Sequence, residues 1–543
     1  MAKLTGAHLA VRSLKLEGIE NIFTLVGDHI LPLCDAAVDE GLRFIDTRHE
    51  AAAVHMADGW TRVTGRPAVC MTTGGPGHAN AIGGMGLAFT AESPVVVING
   101  SSELAHRGKL AFQELDQVGM MAPVTKEALL VPEARRIPEF IARAFRTALE
   151  GRPGPVYLCI PLDVQEQPVS EEDLPSYQPQ EYRPRGRSPG DPQLIEEAVA
   201  LLRRAERPVV IVDAIARYQL PPEVLLRFIE TTRLPLFALE SARGMVSEEH
   251  PLCFGDGEAS VNDAMKLCSR ADVVLLLGKR IDYRVAFGRF FSPEAKLLQV
   301  DPSPAEIGRN RGVAVGIVGH LGAVVEQLTQ AASRTPWGEL PWLEELRSAR
   351  RAQREALASQ ATDDLPLHAM RVFRELEPLL DEHTWLIFDG GDFVQWGRTY
   401  LQVKGPAGSL RIGPLGHLGA GLPFALATKL AFPDDRVVLF IGDGSFGFYP
   451  MEFDTAVRHH LPIVAVLGND SLWGIDRNFQ LEYYGRAVAT ELRWVRYDKI
   501  VEALDGYAEL VERPEELALA FQRALASAKP SLLNVRVRNA RSP

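Results

Sequence analysis

Short runs of Val, Ile and Leu recur along the whole chain, separated by stretches with the apolar spacing of amphipathic helices. They include Val95–Ile98 and Val156–Ile160, then Val209–Val212, Val273–Leu277 and Leu297–Val300, and finally Leu386–Phe388, Val437–Ile441, Ile463–Leu467 and Leu532–Val537. A strand with one wet face alternates apolar and polar residues. A strand buried on both faces does not, and both faces are buried where helices cover a parallel sheet. The pattern predicts an α/β protein of doubly wound parallel sheets. With 543 residues the chain is too long for one core, and at roughly 150 residues per domain three or four are expected. The runs fall into three groups, over residues 1–170, 190–332 and 365–543. Between them, Gln165–Pro192 is dense in Pro, Glu and Arg. Ser333–Leu365 has Pro and Trp near its start and then a charged helical stretch. Both read as interdomain connections.

Composition removes several classes of function. The 58 Lys and Arg are outnumbered by 70 Asp and Glu, for a net charge of −12, and no long basic run offers a footprint for nucleic acid or anionic lipid. Cys34, Cys70, Cys159, Cys253 and Cys268 are odd in number and lack CxxC spacing. They read as reduced, mostly buried small hydrophobes in a reducing compartment, and a cytoplasmic location is expected. Met1 to Ala10 lacks the apolar stretch of a secretory leader, and no run of about 18 apolar residues is present to span a membrane.

The segment Val437–Trp473 carries the most chemistry. An apolar strand runs into Gly442-Asp443-Gly444, a helical stretch containing Met451 to Asp454 follows, and a second strand ends in Asn469-Asp470. Ligands of parallel sheets bind at the carboxyl ends of strands, so both acids can point into one crevice. The glycines let the backbone approach a diphosphate. A hard cation such as Mg²⁺ takes a few carboxylate or carbonyl oxygens and completes its set with phosphate oxygens. Gly442 to Gly447 also fits G-x-G-x-x-G after a strand. In a dinucleotide site, however, Asp443 would oppose the pyrophosphate unless a metal lay between them.

These residues resemble the thiamine-diphosphate-dependent enzyme family, whose motif is GDG, a spacer and a terminal Asn pair; here the pair is Asn469-Asp470. The resemblance implies that Asp443, Asp470 and the carbonyl of Leu472 hold Mg²⁺. It implies that Gly442, Gly444, Ser445, Asn469, Leu472, Trp473 and Gly474 bind thiamine diphosphate, together with Gly391, Asp392 and Phe393. Leu418 matches the large apolar residue that bends the cofactor. Thiamine chemistry also needs a carboxyl group on the aminopyrimidine to drive its imino tautomer. Glu50, in Asp46-Thr47-Arg48-His49-Glu50 before the helical stretch Ala51–Val63, resembles that acid; without the family match it would read as a helix-capping residue. The three blocks become a pyrimidine-binding, a middle and a diphosphate-binding domain. In the family the two binding domains meet across subunits, which implies a homodimer or homotetramer.

Three further segments look like the acetolactate synthase, benzaldehyde lyase and 2-hydroxyacyl-CoA lyase branch. They are FTLVGDHILPL at Phe23–Leu33, TTGGPGHAN at Thr72–Asn80, and AFQELDQVGMMAPVTK at Ala111–Lys126. His29 and Gln113 match residues that face the cofactor and handle the hydroxyl proton of the substrate in benzaldehyde lyase; a neutral imidazole suits that task. His78 and His417 are lesser candidates. Gly278 to Arg284 resembles a segment near the flavin of acetolactate synthase, but relatives keep the fold without flavin, and FAD or ADP is not expected. The expected activity is a carbon–carbon lyase and carboligase on 2-hydroxy carbonyl compounds, with small aldehydes, acyloins, 2-oxo acids or acyl-CoA as substrates. The alternative is acetolactate synthase, joining two 2-oxo acids with decarboxylation. A nucleotide-binding or structural protein without turnover is the rival from another class.

Overall fold

The structure is a computed structural model that describes residues 4–174, 178–183 and 186–543. The start of the Met1–Ala10 stretch and part of the expected connection Gln165–Pro192 lie outside the described residues. Three six-stranded sheets, paired parallel throughout, carry flanking helices and meet the doubly wound expectation. The first contains β1 (Asn21–Leu25), β2 (Arg43–Asp46), β3 (Ala68–Thr72), β4 (Val95–Ser101), β5 (Glu127–Leu130) and β6 (Val156–Pro161), in the order β2-β1-β3-β4-β6-β5. The second contains β7 (Pro208–Val212), β8 (Leu236–Ala238), β9 (Cys253–Asp256), β10 (Val273–Leu277), β11 (Lys296–Asp301) and β12 (Val315–Val318), in the order β12-β11-β10-β7-β8-β9. The third contains β13 (Thr384–Asp389), β14 (Ser409–Arg411), β15 (Arg436–Gly442), β16 (Val464–Asn469), β17 (Tyr507–Val511) and β18 (Ser531–Arg536), in the order β14-β13-β15-β16-β18-β17. Central strands such as β3, β7 and β10 are buried at every residue, which is why their sequences do not alternate.

In each sheet the strand order reverses direction beside the sheet's first strand, and there the chain leaves two neighbouring strands toward opposite sides and opens a crevice at their carboxyl ends. The reversal falls between β1 and β3, between β7 and β10, and between β13 and β15. The residues just beyond these strands are therefore the ones placed to meet a ligand.

The chain divides into two compact units. One comprises Met1–Gly186 with Ile412–Ala431 and Met451–His459; the other comprises the remainder. In the first unit the helix Gly421–Ala431, apolar on nearly all sides, packs on the helix Glu50–Thr64. Gly59 permits the contact, since a Cβ there would lie 2.9 Å from the Phe424 ring. Gln165 is fully buried and donates to the carbonyls of His29 (2.7 Å) and Ile160 (2.6 Å). The beginning of the expected first connection thus belongs to the first sheet's packing.

In the second unit most of the expected second connection is a helix, Trp342–Ala358. Its Trp342, Leu343 and Leu346 join the core around the second sheet, and Leu357 joins that around the third. The same two sheets share a ladder of ion pairs. Arg243 pairs with Glu248 (2.7 Å) and Asp256 (3.5 Å), Arg398 with Asp256 (2.9 Å) and Glu258 (3.0 Å), and Arg411 with Glu258 (2.8 Å) and Glu240, which also takes Arg284. Burial works to raise the Glu258 carboxyl, but Arg398 and Arg411 outweigh it and hold it well below the usual carboxylate range.

All five cysteines are free, and burial pushes their thiols up, Cys34 to about 11 and Cys253 to about 12. No helix among the described residues is long and apolar enough to cross a membrane.

Candidate active site

In the first unit, three side chains gather around the turn Thr73–Gly77 that follows β3. Glu50 opens the helix Glu50–Thr64, with His49 as the cap whose Nδ1 accepts from the Ala51 N–H at 3.0 Å. Glu50 is 8% exposed, and its carboxylate accepts from Asn80 Nδ2 at 3.0 Å. A Cβ on Gly77 would stand 3.3 Å from Glu50 Oε1, so the bare residue lets the next helix approach the acid.

His29 lies beyond β1, across the strand-order reversal from that turn, and is 3% exposed. Thr73 Oγ1 accepts from its backbone N–H (3.2 Å) and lies 3.3 Å from Nδ1. Burial lowers the imidazole below its ordinary range, against the opposing charges of Asp28 and Glu103. Gly100 makes the fit, because a Cβ there would sit 1.8 Å from the His29 carbonyl oxygen.

Gln113 takes a left-handed φ of 58°, uncommon outside glycine. Its Cβ would be 2.5 Å from a Cβ on Gly75, and its buried Oε1 has no hydrogen-bond partner among the described residues. Gln117, four residues on, was not foreseen from sequence. It accepts from Gly75 N (3.1 Å) and donates to the Gly100 carbonyl (3.0 Å) and the Tyr157 hydroxyl (2.9 Å), tying the turn to β4 and β6. His78 is fully buried edge-on to Tyr157, and burial pushes its imidazole down to about 4. His417 stands beside His55 at 4.8 Å between ring centres, and Leu418 follows it in the first unit. His459, at the end of its helix, pairs with Asp46 at 2.9 Å.

In the second unit, Asp443 follows β15 and Asp470 follows β16, with Gly442 and Gly468 in register. Asp443 is 2% exposed, and its Oδ2 has no hydrogen-bond partner among the described residues. Burial, and then the neighbouring Asp470, push its carboxyl up to about 7. Burial raises Asp470 as well, although Oδ1 accepts from Leu472 N–H (3.1 Å) and Oδ2 from Asn539 Nδ2 (3.0 Å). Ser471 between them is left-handed at φ 60°, which turns Leu472 into a bridge with Glu491.

A buried and a half-buried carboxylate, the first with an oxygen that has no partner among the described residues, fit a hard divalent cation, which would supply the missing positive charge. No three His, Cys, Asp or Glu side chains converge as a complete ligand set among the described residues. The protein therefore offers part of a coordination shell, the arrangement suited to a cation that also binds phosphate oxygens.

The other predicted residues surround these acids. Trp473 lies on Gly444, where a Cβ would be 2.6 Å from its ring. Gly390, at φ 133°, lets the turn after β13 come close to the next strand end, since a Cβ there would lie 3.2 Å from both Gly442 N and Ser445 Oγ. Beyond it, Gly391 packs on Ile475, and Asp392 accepts from Ser542 and from Asn478 Nδ2 (2.7 Å). Phe393 is a core residue over Gly468, and Asn469 donates to the Val495 carbonyl and Asn534 (3.1 Å each). At the reversal of the second sheet, fully buried Lys279 lies between Asp213 (3.2 Å) and Asp282 (2.6 Å).

Comparison with known proteins adds to this geometry. The profile of the thiamine pyrophosphate enzyme N-terminal TPP binding domain matches residues 4–120, that of the central domain 195–328, and that of the C-terminal TPP binding domain 389–535. The acetolactate synthase large subunit IlvG of Mycobacterium tuberculosis is 36% identical over 530 residues, covering 97% of this chain and 95% of that one. 2-Hydroxyacyl-CoA lyase 2 of Bos taurus is 33% identical over 94% of this chain and 86% of its own length. 2-Hydroxyacyl-CoA lyase 1 of Homo sapiens is 30% identical over 98% and 95%.

Proposed function

Because the chain belongs to the thiamine pyrophosphate enzyme family, we propose that this enzyme is a carbon–carbon lyase and carboligase acting on 2-hydroxy carbonyl compounds. Thiamine diphosphate, when bound, supplies the electron sink for the pair released as a bond next to a carbonyl breaks. In this reading Glu50 holds its aminopyrimidine, and Asp443, Asp470 and the Leu472 carbonyl hold Mg²⁺. Gly442, Gly444 and Ser445 take the diphosphate, with Gly391, Asp392, Trp473 and Gly474 beside them and Leu418 against the ring system.

His29 carries the choice of substrate class. Thr73 Oγ1 accepts from the His29 backbone N–H and faces Nδ1, which leaves Nε2 to meet the substrate. Burial favours the neutral imidazole, so Nε2 can accept the proton of the 2-hydroxyl as cleavage proceeds and return it during ligation. Gln113 Oε1, without a partner among the described residues, can accept from that hydroxyl before transfer or from Nε2–H after it. A substrate without a hydroxyl proton to lose has no use for this pair.

The acetolactate synthase reading, in which two 2-oxo acids are joined with loss of CO₂, is supported by the relative of that name, 36% identical over 97% of the chain. One experiment separates the two. The protein with thiamine diphosphate and Mg²⁺ is given an aromatic acyloin, a 2-hydroxyacyl-CoA or pyruvate in separate reactions, and aldehyde and CO₂ are measured. Aldehyde from either of the first two supports the lyase; CO₂ from pyruvate with no aldehyde from the others makes the enzyme a synthase or decarboxylase. Either reading carries a homodimer or homotetramer, which sedimentation would measure.

A further inference from the structure

The residues after β18 reach back to the acids of the third sheet. Val537 bridges Leu367, and Trp396 donates its indole N–H to the Ala540 carbonyl at 3.0 Å, which fixes the segment in the second unit. From there Asn539 Nδ2 donates to Asp470 Oδ2 at 3.0 Å. The backbone N–H and the hydroxyl of Ser542 donate to Asp392 Oδ1 at 2.9 and 2.7 Å. The space for Asn539 depends on Gly474, where a Cβ would lie 2.5 Å from the amide nitrogen.

The charges of the segment are directed elsewhere. Arg536 pairs with Glu512 (3.1 Å), Arg538 with Asp364 (3.7 Å) and Arg541 with Glu482 (2.8 Å). A guanidinium on Asp470 would neutralise it and compete with a cation. A neutral amide orients the carboxylate and leaves its charge in place. The pairing also suits an acid at position 470: a carboxylate oxygen faces the Asn539 NH₂, whereas an Asn at 470 that kept its oxygen on the Leu472 N–H would turn one NH₂ toward another.

Resting on the proposed role of Asp443 and Asp470 as cation ligands, we propose that Asn539 is a positioning residue for Mg²⁺: it holds Asp470 in the orientation that presents the carboxylate to the ion. Groups that bond a metal ligand from behind set its geometry, and losing one typically weakens metal affinity about 10–100-fold.

The test is calorimetric titration of Mg²⁺ into the full chain saturated with thiamine diphosphate. Asn539→Ala is expected to bind Mg²⁺ about tenfold more weakly. Ser542→Ala, which loses a donor to Asp392 only, is expected to stay within about twofold of wild type, the scale of an exposed-segment change. Asn539→Asp sets carboxylate against carboxylate and is expected to bind more weakly than Asn539→Ala. Adding Asp470→Asn to Asn539→Asp restores a donor–acceptor pair and is expected to recover affinity, a rescue that general damage to the segment would not show. Equal affinities for Asn539→Ala and wild type overturn the inference. So does an equal loss in Ser542→Ala, or a double variant no tighter than Asn539→Asp. Should Asn539→Ala not fold, the comparison of Asn539→Asp with the double variant decides. A wild type that takes up no Mg²⁺ with its cofactor overturns the active-site reading itself, and this inference with it.

Discussion

Glu452 offers the cleanest test of the electrostatics. It heads the helix Glu452–Arg458 in the first unit, is 1% exposed, and accepts from Arg48 N–H at 3.0 and 3.2 Å and from the Thr455 hydroxyl at 2.6 Å. Burial nevertheless dominates and pushes its carboxyl up to about 7, against an ordinary value near 4.5. A carboxyl raised on folding contributes most below its unfolded value, and that contribution is lost as pH rises through the folded one. The difference between 4.5 and about 7 is worth about 3 kcal/mol at 1.36 kcal/mol per pH unit, most of which falls between roughly pH 5 and pH 8. Glu452→Gln cannot ionise. Whatever it loses in hydrogen bonding is lost at both pH values, so the difference between the two pH values isolates the charge. Urea unfolding of both proteins, followed by tryptophan fluorescence, should show the wild type falling by about 2–3 kcal/mol relative to the variant as pH rises over that range. Parallel profiles would refute the claim that Glu452 is a buried carboxyl with a raised pKa.

Other outcomes follow from the active site. Glu50→Gln should lower turnover by about 10²–10⁴-fold, the usual range for losing a proton-transfer group, with an unchanged melting temperature; near-wild-type turnover would remove Glu50 from the chemistry. Since burial lowers the His29 imidazole, the acidic fall of kcat/KM should lie below its ordinary value of 6.5 and should vanish in His29→Gln. Gly444→Ala pushes a Cβ to 2.6 Å from the Trp473 ring and should weaken cofactor binding about tenfold through an overpacking cost of about 1–3 kcal/mol, read by quenching of tryptophan fluorescence. Chelation of divalent cations should release thiamine diphosphate on gel filtration, and Mg²⁺ should restore its retention.

The strands were legible because burial on both faces leaves an apolar run without alternation, and β10 and β16 follow their runs closely. The acids Asp443 and Asp470 were legible because strand ends locate them without knowledge of packing. What the sequence did not disclose is long-range and has no period. Nothing local in Asn539 or Ser542 points to carboxylates 69 and 150 residues away. Gln113 and Gln117 look alike on the page, yet only tertiary packing makes one a strained turn residue and the other a buried tie between strands. Trp342–Ala358 read as a connection because charged residues dominate its composition, although its few apolar residues are the ones that dock.

The ion ladder between the second and third sheets has a consequence for recombination. Arg243, Arg398, Arg411 and Arg284 stand against Glu240, Glu248, Asp256 and Glu258, and only Arg398 and Arg411 come from the third sheet's part of the chain. Deleting one member of such a desolvated set strands its partner at a cost of about 3–5 kcal/mol. A chimera that takes its middle segment from another lineage therefore inherits or loses these two arginines' counter-charges as a block. Exchanges that carry Asp256 and Glu258 together with residues 398 and 411 should yield folded hybrids, whereas a crossover placed between them separates paired charges.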